Sequence, residues 1–197
     1  MRNTAVADAL GYLGYRRVYH MRDVFENGHQ QARIDLLEWK FSRKSPDSLA
    51  RGQLQAVLEG YDALADFLAS IFVEELIAAY PDAKIVLLTR DEAAWYRSMI
   101  DTLWHQYSNF DSSKGTSNVR QLAETYHRYC WAGDFPKNGR AYFREYHERV
   151  RRLVAGGRML EYDVRSDDWS QYKNQRSGKR EMSQYARSGQ VSLPYGN

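Results

Sequence analysis

Apolar positions along the chain follow a helical spacing in most segments, and short apolar runs interrupt that pattern. The helical segments are separated by glycine, proline or polar clusters, which are typical helix ends. The predicted helices are Thr4–Leu13, Val24–Phe41, a segment around Leu54–Leu58 that Gly60 ends, Ala69–Tyr80, Asp91–Trp104, Val119–Tyr129 and Arg140–Val154.

The short apolar runs predict strands. The best of them is Lys84–Thr89, whose continuous apolar run is typical of a parallel strand covered on both faces. Further strands are predicted within Tyr15–Met21, at Tyr61–Asp66 and at Met159–Tyr162, with a turn at Lys44–Asp47 and a polar loop at Ser108–Ser117. Helix and strand alternate in this way to about residue 165, which predicts a three-layer α/β domain with a mostly parallel sheet. Ligands of such folds bind at the carboxyl ends of the strands.

Composition narrows the class of protein. The chain has 197 residues, 43% of them hydrophobic and 27% charged, a composition typical of a globular domain. A net charge of +3 is too small to indicate nucleic-acid binding, although it allows a local site for an anion. A single cysteine, Cys130, excludes an internal disulfide and a multi-cysteine metal site. No His, Asp and Glu set has the spacing of metal ligands.

Composition also indicates where in the cell the protein is expected. The single cysteine is typical of a reducing compartment, so we expect a cytoplasmic protein. We expect no membrane span, because no run of about 18 apolar residues occurs.

The segment 84–98 carries the clearest chemistry. Arg90 follows the predicted buried strand directly, beside the start of a helix, and a helix N-terminus attracts anions. The guanidinium group suits phosphate oxygens, and Ser98 lies two helical turns further on, where its hydroxyl could complete a phosphate site. The plainer interpretation is that Arg90 forms a structural ion pair with Asp91 or another carboxylate.

Five blocks of the sequence resemble the small sulfotransferase-like proteins of fungi and bacteria, one branch of the P-loop sulfotransferases. The blocks are Ala-Asp-Ala-Leu (7–10), Val-Tyr-His-Met-Arg-Asp-Val (18–24), Glu-Glu-Leu-Ile-Ala-Ala-Tyr-Pro-Asp-Ala-Lys (74–84), Thr-Arg-Asp-Glu-Ala-Ala-Trp-Tyr-Arg-Ser-Met (89–99) and Arg-Met-Leu-Glu-Tyr-Asp-Val (158–164). They run in family order over about residues 3 to 170.

The resemblance implies a reaction and a co-substrate. Enzymes of this kind transfer a sulfuryl group from 3′-phosphoadenosine 5′-phosphosulfate (PAPS) to a hydroxyl or amine of a small-molecule acceptor. Arg90 and Ser98, eight positions apart, are similar to the motif that binds the donor's 3′-phosphate. The implied fold is the P-loop nucleotide-binding α/β fold.

The sequence departs from the family at its beginning. Family members have a loop like Gly-x-x-Arg-Thr-Gly-Thr-x-Ser-Leu between the first strand and the helix matched by residues 7–10, and its backbone N–H groups hold the 5′-phosphosulfate. Here Asn3, Ala5 and Val6 stand where the second threonine, the serine and the leucine of that loop fall. We therefore expect the first strand and the loop to be missing, and catalysis to be impaired.

Two candidate residues would act near the acceptor. Asp66 stands where family members have Asp-x-Pro, and a carboxylate there could act as the general base or position the acceptor. Capping of the helix near Ala69 is the alternative role for Asp66. His20 follows a predicted strand and could orient the acceptor or the sulfate. The alternative for His20 is a histidine satisfied by backbone contacts.

The resemblance assigns residues 1–169 to one sulfotransferase-like domain. Residues 170–197 are polar and basic, which is typical of a disordered tail, although the basic residues could also bind an anion. Two functions follow from these observations. One is a sulfotransferase that binds PAPS, and the other is a non-catalytic remnant of the fold that acts in binding or interaction.

Overall fold

The computed structural model describes residues 2–42, 47–110, 117–154 and 157–163. The helices are α1 (Arg2–Tyr12), α2 (Met21–Glu26), α3 (Gln30–Ser42), α4 (Asp47–Leu58), α5 (Phe67–Ile71), α6 (Val73–Ala79), α7 (Glu92–Met99), α8 (His105–Ser108), α9 (Asn118–Trp131) and α10 (Phe135–Leu153). A π-helical segment, Ile100–Trp104, joins α7 to α8. The strands are β1 (Val18–Tyr19), β2 (Ala63–Leu64), β3 (Ile85–Thr89) and β4 (Met159–Asp163).

The described residues form two compact units. One contains the chain up to Arg22, the segment Glu59–Thr89 and the chain from His147 onward. The other contains Asp23–Leu58 and Arg90–Tyr146. The four strands all belong to the first unit, which we call the strand unit, and the second is the helical unit.

The strand unit contains two pairs of parallel strands. β1 pairs with β2, with Val18 opposite Ala63, and β3 pairs with β4, with Ile85 opposite Met159. Both pairs are parallel, as expected, but among the described residues they form two separate sheets and not the single sheet predicted. The mixture of helices with parallel strands confirms the α/β class. All four predicted strands are present. Parallel pairing brings the carboxyl ends of partner strands to the same edge, which positions the residues that follow them.

The strand unit's core is formed by apolar residues of its helices and strands. The most deeply buried are Tyr19, Leu68, Ile71, Phe72 and Val150. The expectation that β3 is covered on both faces is wrong, because Leu87 alone of its residues is buried and the others are half-buried. Among the described residues, β3 has one strand partner, β4.

Two predicted helices are each divided into two. The helix predicted over Val24–Phe41 stops at Glu26, and Gly28 adopts a φ of +67° before α3 begins. Glycine adopts this conformation without a steric penalty, so the chain changes direction there. The helix predicted over Ala69–Tyr80 is α5 and α6, with the break at Phe72, whose φ of −97° and ψ of 28° are not helical. Phe72 is buried and apolar, and it gives no break signal in the sequence.

Helix ends differ from prediction near the loops. α10 begins at Phe135, five residues before the predicted start, because Asp134 accepts a hydrogen bond from the backbone N–H of Lys137 at 3.0 Å. Ser117 caps α9 in the same way, accepting from Arg120 at 3.3 Å. Most of the predicted turn at Lys44–Asp47, the centre of the loop at Ser108–Ser117 and the tail from residue 170 lie outside the described residues.

Candidate functional site

His20 and Asp66 lie together in the strand unit, at the carboxyl edge of β1 and β2. His20 follows β1 directly, and Asp66 comes two residues after β2. Because the strands are parallel and Tyr19 lies opposite Leu64, the two side chains reach the same edge. Nε2 of His20 lies 3.5 Å from Oδ2 of Asp66. The sequence predicted each residue separately, and the structure pairs them.

His20 has a fixed orientation. Its side chain is 7% exposed, and its Nδ1 accepts a hydrogen bond from the backbone N–H of Arg22 at 3.3 Å. The predicted alternative, a histidine held by backbone contacts, is therefore correct for Nδ1 of His20. Nε2 faces the carboxylate of Asp66 instead. Arg22 in turn donates from its guanidinium to Asp8 of α1 at 3.0 Å.

The backbone of Asp66 is strained. Its φ of 71° and ψ of −150° lie in a region that glycine alone adopts readily. Asp66 precedes α5 directly, but its side chain makes no capping hydrogen bond, so the capping interpretation is wrong. A strained residue that places a carboxylate 3.5 Å from an imidazole is typical of a functional site.

Arg90 and Ser98 both belong to the helical unit, on α7 or next to it. Arg90 follows β3 directly, and its Nη2 donates to the carbonyl oxygen of Ala94 at 3.0 Å. In an α-helix this carbonyl also accepts the N–H of residue 98, because each N–H bonds four residues back. The guanidinium of Arg90 therefore lies over the turn of α7 that leads to Ser98.

The N-terminus of α7 already has an anionic group. Oδ1 of Asp91 accepts the backbone N–H of Ala94 at 2.8 Å, so it caps the helix. The sequence predicted free N–H groups here, and the structure corrects that for Ala94. The guanidinium of Arg90, which donates to Ala94, and the hydroxyl of Ser98 are two half-buried groups at this place that can bind an anion.

The comparison with known families decides the identity of the chain. Residues 3–172 match the family model described as a sulfotransferase domain. The chain belongs to the sulfotransferase family. This confirms the resemblance found in the five sequence blocks.

A relative with a curated description also matches. It is the Ava biosynthesis cluster protein M of Aspergillus versicolor, 33% identical in an alignment of 159 residues that covers 73% of this chain. The chain spans 60% of the length of that relative.

Contacts within the helical unit hold α7 against α10. Glu92 accepts hydrogen bonds from Arg140 at 2.9 Å and from Arg144 at 3.3 Å, both on α10. The ring of Trp95 lies 4.6 Å from that of Phe143, so this tryptophan packs against α10. These contacts fix the helix that carries Ser98.

A buried cluster surrounds His127 in the helical unit, and it was not predicted from the sequence. His127 is 3% exposed, its Nδ1 accepts the indole N–H of Trp131 at 2.7 Å, and its ring stacks on Tyr107 at 3.9 Å. Burial, with a smaller contribution from the charge of Arg120, lowers the pKa of His127 from 6.5 to about 4. The spacing of His127 and Trp131, one helical turn apart on α9, is the sequence signal that could have found it.

His147 has a structural contact in the strand unit. It is buried, and its Nε2 lies 3.2 Å from the carbonyl oxygen of Leu88 on β3. This contact gives His147 a structural role, because it joins α10 to β3 within the strand unit.

The part of the chain that the structure describes contains neither a cluster of metal-ligating side chains nor a membrane-spanning helix. No group of three or more His, Cys, Asp and Glu side chains is placed to hold a metal ion there. No helix among these residues is long and apolar enough to cross a membrane.

Proposed function

We propose that the chain provides the donor and acceptor residues of a PAPS-dependent sulfotransferase that acts on a hydroxyl or amine of a small molecule. The observation that carries the proposal is the meeting of His20 and Asp66 at the carboxyl edge of parallel strands, in a chain of the sulfotransferase family. Ligands of parallel α/β folds bind at this edge. We also propose that residues 1–169 form one domain with the three-layer arrangement of that fold.

The acceptor side of the proposal rests on Asp66. Its carboxylate takes the proton that the acceptor's hydroxyl or amine loses, which makes the acceptor a better nucleophile. When bound, PAPS supplies the sulfuryl group, and adenosine 3′,5′-bisphosphate leaves. The chain's own contribution is to hold the reacting groups and to place charge, which lowers the barrier without a covalent intermediate.

The donor side rests on Arg90 and Ser98. The 3′-phosphate would accept hydrogen bonds from the guanidinium of Arg90 and the hydroxyl of Ser98. The contact of Arg90 with Ala94 supports this, because it keeps the guanidinium on the turn before Ser98. An arginine binds phosphate more strongly than a neutral donor does, since both partners are charged.

Binding of adenosine 3′,5′-bisphosphate, measured by calorimetry, tests the donor site. Arg90→Ala should weaken binding about tenfold or more, because a hydrogen bond to a charged group contributes roughly 1.5–3 kcal/mol. Arg97→Ala is the matched control, since Arg97 is an exposed cation on the same helix. Equal weakening by both variants would show that only net charge matters and would refute the assignment.

Turnover is a separate measurement. Transfer of labelled sulfate from PAPS to naphthol or benzylamine should be slow with the wild-type chain and lost with Asp66→Asn. Binding of the bisphosphate without any transfer would favour the other function, a non-catalytic protein that retains the donor site.

A further inference from the structure

We infer that Asp66 is the proton acceptor of the pair and that His20 is a positioning residue, held in one tautomer by the backbone of Arg22. This inference rests on the proposed function, in which Asp66 takes the acceptor's proton, and deepens it by assigning the role of His20, which the sequence left open. The contacts within the strand unit assign the roles.

The first step is the tautomer of His20. The backbone N–H of Arg22 can only donate, so Nδ1 of His20 must be the acceptor in their 3.3 Å contact. A neutral imidazole carries one ring proton, and it therefore sits on Nε2. Nε2 is the nitrogen that faces Asp66 at 3.5 Å.

This tautomer excludes His20 as the general base. A ring nitrogen that carries a proton cannot take another, so Nε2 cannot act as a base toward the acceptor. Nδ1 is the basic nitrogen, and the N–H of Arg22 already occupies it. His20 thus presents a donor to Asp66, and the carboxylate keeps its role as an acceptor.

Solvent exposure and backbone geometry both favour Asp66 as the group that accepts the proton. The side chain of Asp66 is 20% exposed, against 7% for His20, so the carboxylate is the group that an acceptor molecule can reach. The strained backbone of Asp66 turns its side chain toward His20 without a capping bond to α5. A separation of 3.5 Å is longer than a fully formed N–H···O bond, and such contacts commonly tighten when a substrate binds.

The first experiment reads the tautomer without any substrate. The 197-residue chain is labelled at its histidine ring nitrogens, and the His20 resonances are identified as those lost in His20→Gln. We expect the proton on Nε2 at neutral pH. A proton on Nδ1 would overturn the inference whether or not the chain has any transferase activity.

The second experiment separates the roles by kinetics, with PAPS and naphthol as substrates. Asp66→Asn should lower kcat by about a hundredfold or more, the range typical of a lost general base. His20→Gln places an amide N–H near the position of Nε2, so it should retain kcat within about tenfold and keep the wild-type pH profile. His20→Ala should lose more than His20→Gln does, while His105→Gln, an exposed histidine, should behave as wild type.

Two results would contradict the role assignment. One is a loss in His20→Gln equal to that in Asp66→Asn, and the other is a pH profile that His20→Gln changes and Asp66→Asn does not. If the wild-type chain transfers no sulfate, the proposed function fails and the proton transfer to Asp66 fails with it, while the ring-nitrogen spectrum still decides the tautomer of His20. Thermal melting of each variant identifies any loss that comes from misfolding.

Discussion

Trp131 donates its indole N–H to Nδ1 of His127 across 2.7 Å, and both rings are buried among the aromatic residues of the helical unit. This bond occupies the nitrogen on which a second proton would have to bind. Burial, with a smaller contribution from the nearby charge of Arg120, lowers the pKa of His127 to about 4.

The first prediction is a loss of stability in mild acid. In the unfolded chain His127 has its ordinary pKa of 6.5, whereas in the folded chain its pKa is about 4, so it becomes protonated only at lower pH. The contribution of His127 is therefore complete above about pH 6.5 and falls as the pH drops toward 4, by about 1.4 kcal/mol per pH unit. Urea unfolding at a series of pH values measures this slope.

The controls for the acid prediction are two glutamine variants. His127→Gln should flatten the slope between pH 6.5 and 4, although it also lowers stability throughout by removing the stacked ring. His105→Gln removes an exposed histidine and should leave the slope unchanged. An unchanged slope in His127→Gln would show that another group controls the acid response.

The second prediction concerns strain at Asp66. Glycine adopts the observed φ of 71° without a steric penalty, whereas alanine does not. Asp66→Gly should therefore be more stable than Asp66→Ala by about 1–3 kcal/mol in chemical unfolding. Both variants lack the carboxylate, so the comparison isolates the backbone. Equal stabilities would mean that the chain relaxes at this residue.

The third prediction is a destabilising glycine replacement in α10. A Cβ at Gly139 would overlap the ring of Phe135, which is fully buried, so the ring would have to shift within the core. Gly139→Ala should lower the free energy of unfolding by about 1–3 kcal/mol, despite the better helix propensity of alanine.

Gly52→Ala is the matched control for Gly139→Ala. Gly52 lies in α4, and a Cβ there meets nothing within 4 Å. This variant should stabilise the chain by up to about 1 kcal/mol, since alanine loses less conformational freedom in a helix. The opposite signs of the two variants, measured by thermal and urea unfolding, are the expected result.

The fourth prediction concerns the ion pairs of Glu92. Its carboxylate is a quarter exposed, and Arg140 and Arg144 are more exposed still. Exposed pairs contribute little, so Glu92→Gln should cost no more than about 1 kcal/mol, and less at high salt. A double-mutant cycle with Arg140→Gln measures the pair itself, and a coupling of several kcal/mol would contradict the exposed geometry.

The sequence predicted the strands well because each is a local apolar run. Val18 and Tyr19, or residues 85–89, are recognisable without knowledge of their partners. The breaks at Gly28 and Phe72 were missed because both interrupt an apolar pattern that continues on either side. Tertiary packing determines where such a helix breaks, and the local sequence pattern carries no information about that packing.

The candidate site shows the same limit. His20 and Asp66 were each predicted because each follows a predicted strand. Their contact depends on the parallel pairing of β1 with β2, and the tautomer of His20 depends on a backbone N–H that no sequence pattern reveals. The contact of Tyr107 with His127 was missed because the two residues come from different helices, whereas the spacing of His127 and Trp131 on α9 was visible in the sequence.

The parallel pairing of β3 with β4 has a consequence for synthesis on the ribosome. Ile85 pairs with Met159, so β3 is complete long before its partner strand emerges. An apolar strand with an open edge can pair with other chains, and a long loop must close before the native pair forms. Slow folding and a need for chaperones during translation follow from this order, and co-expression with chaperones should raise the yield of folded protein.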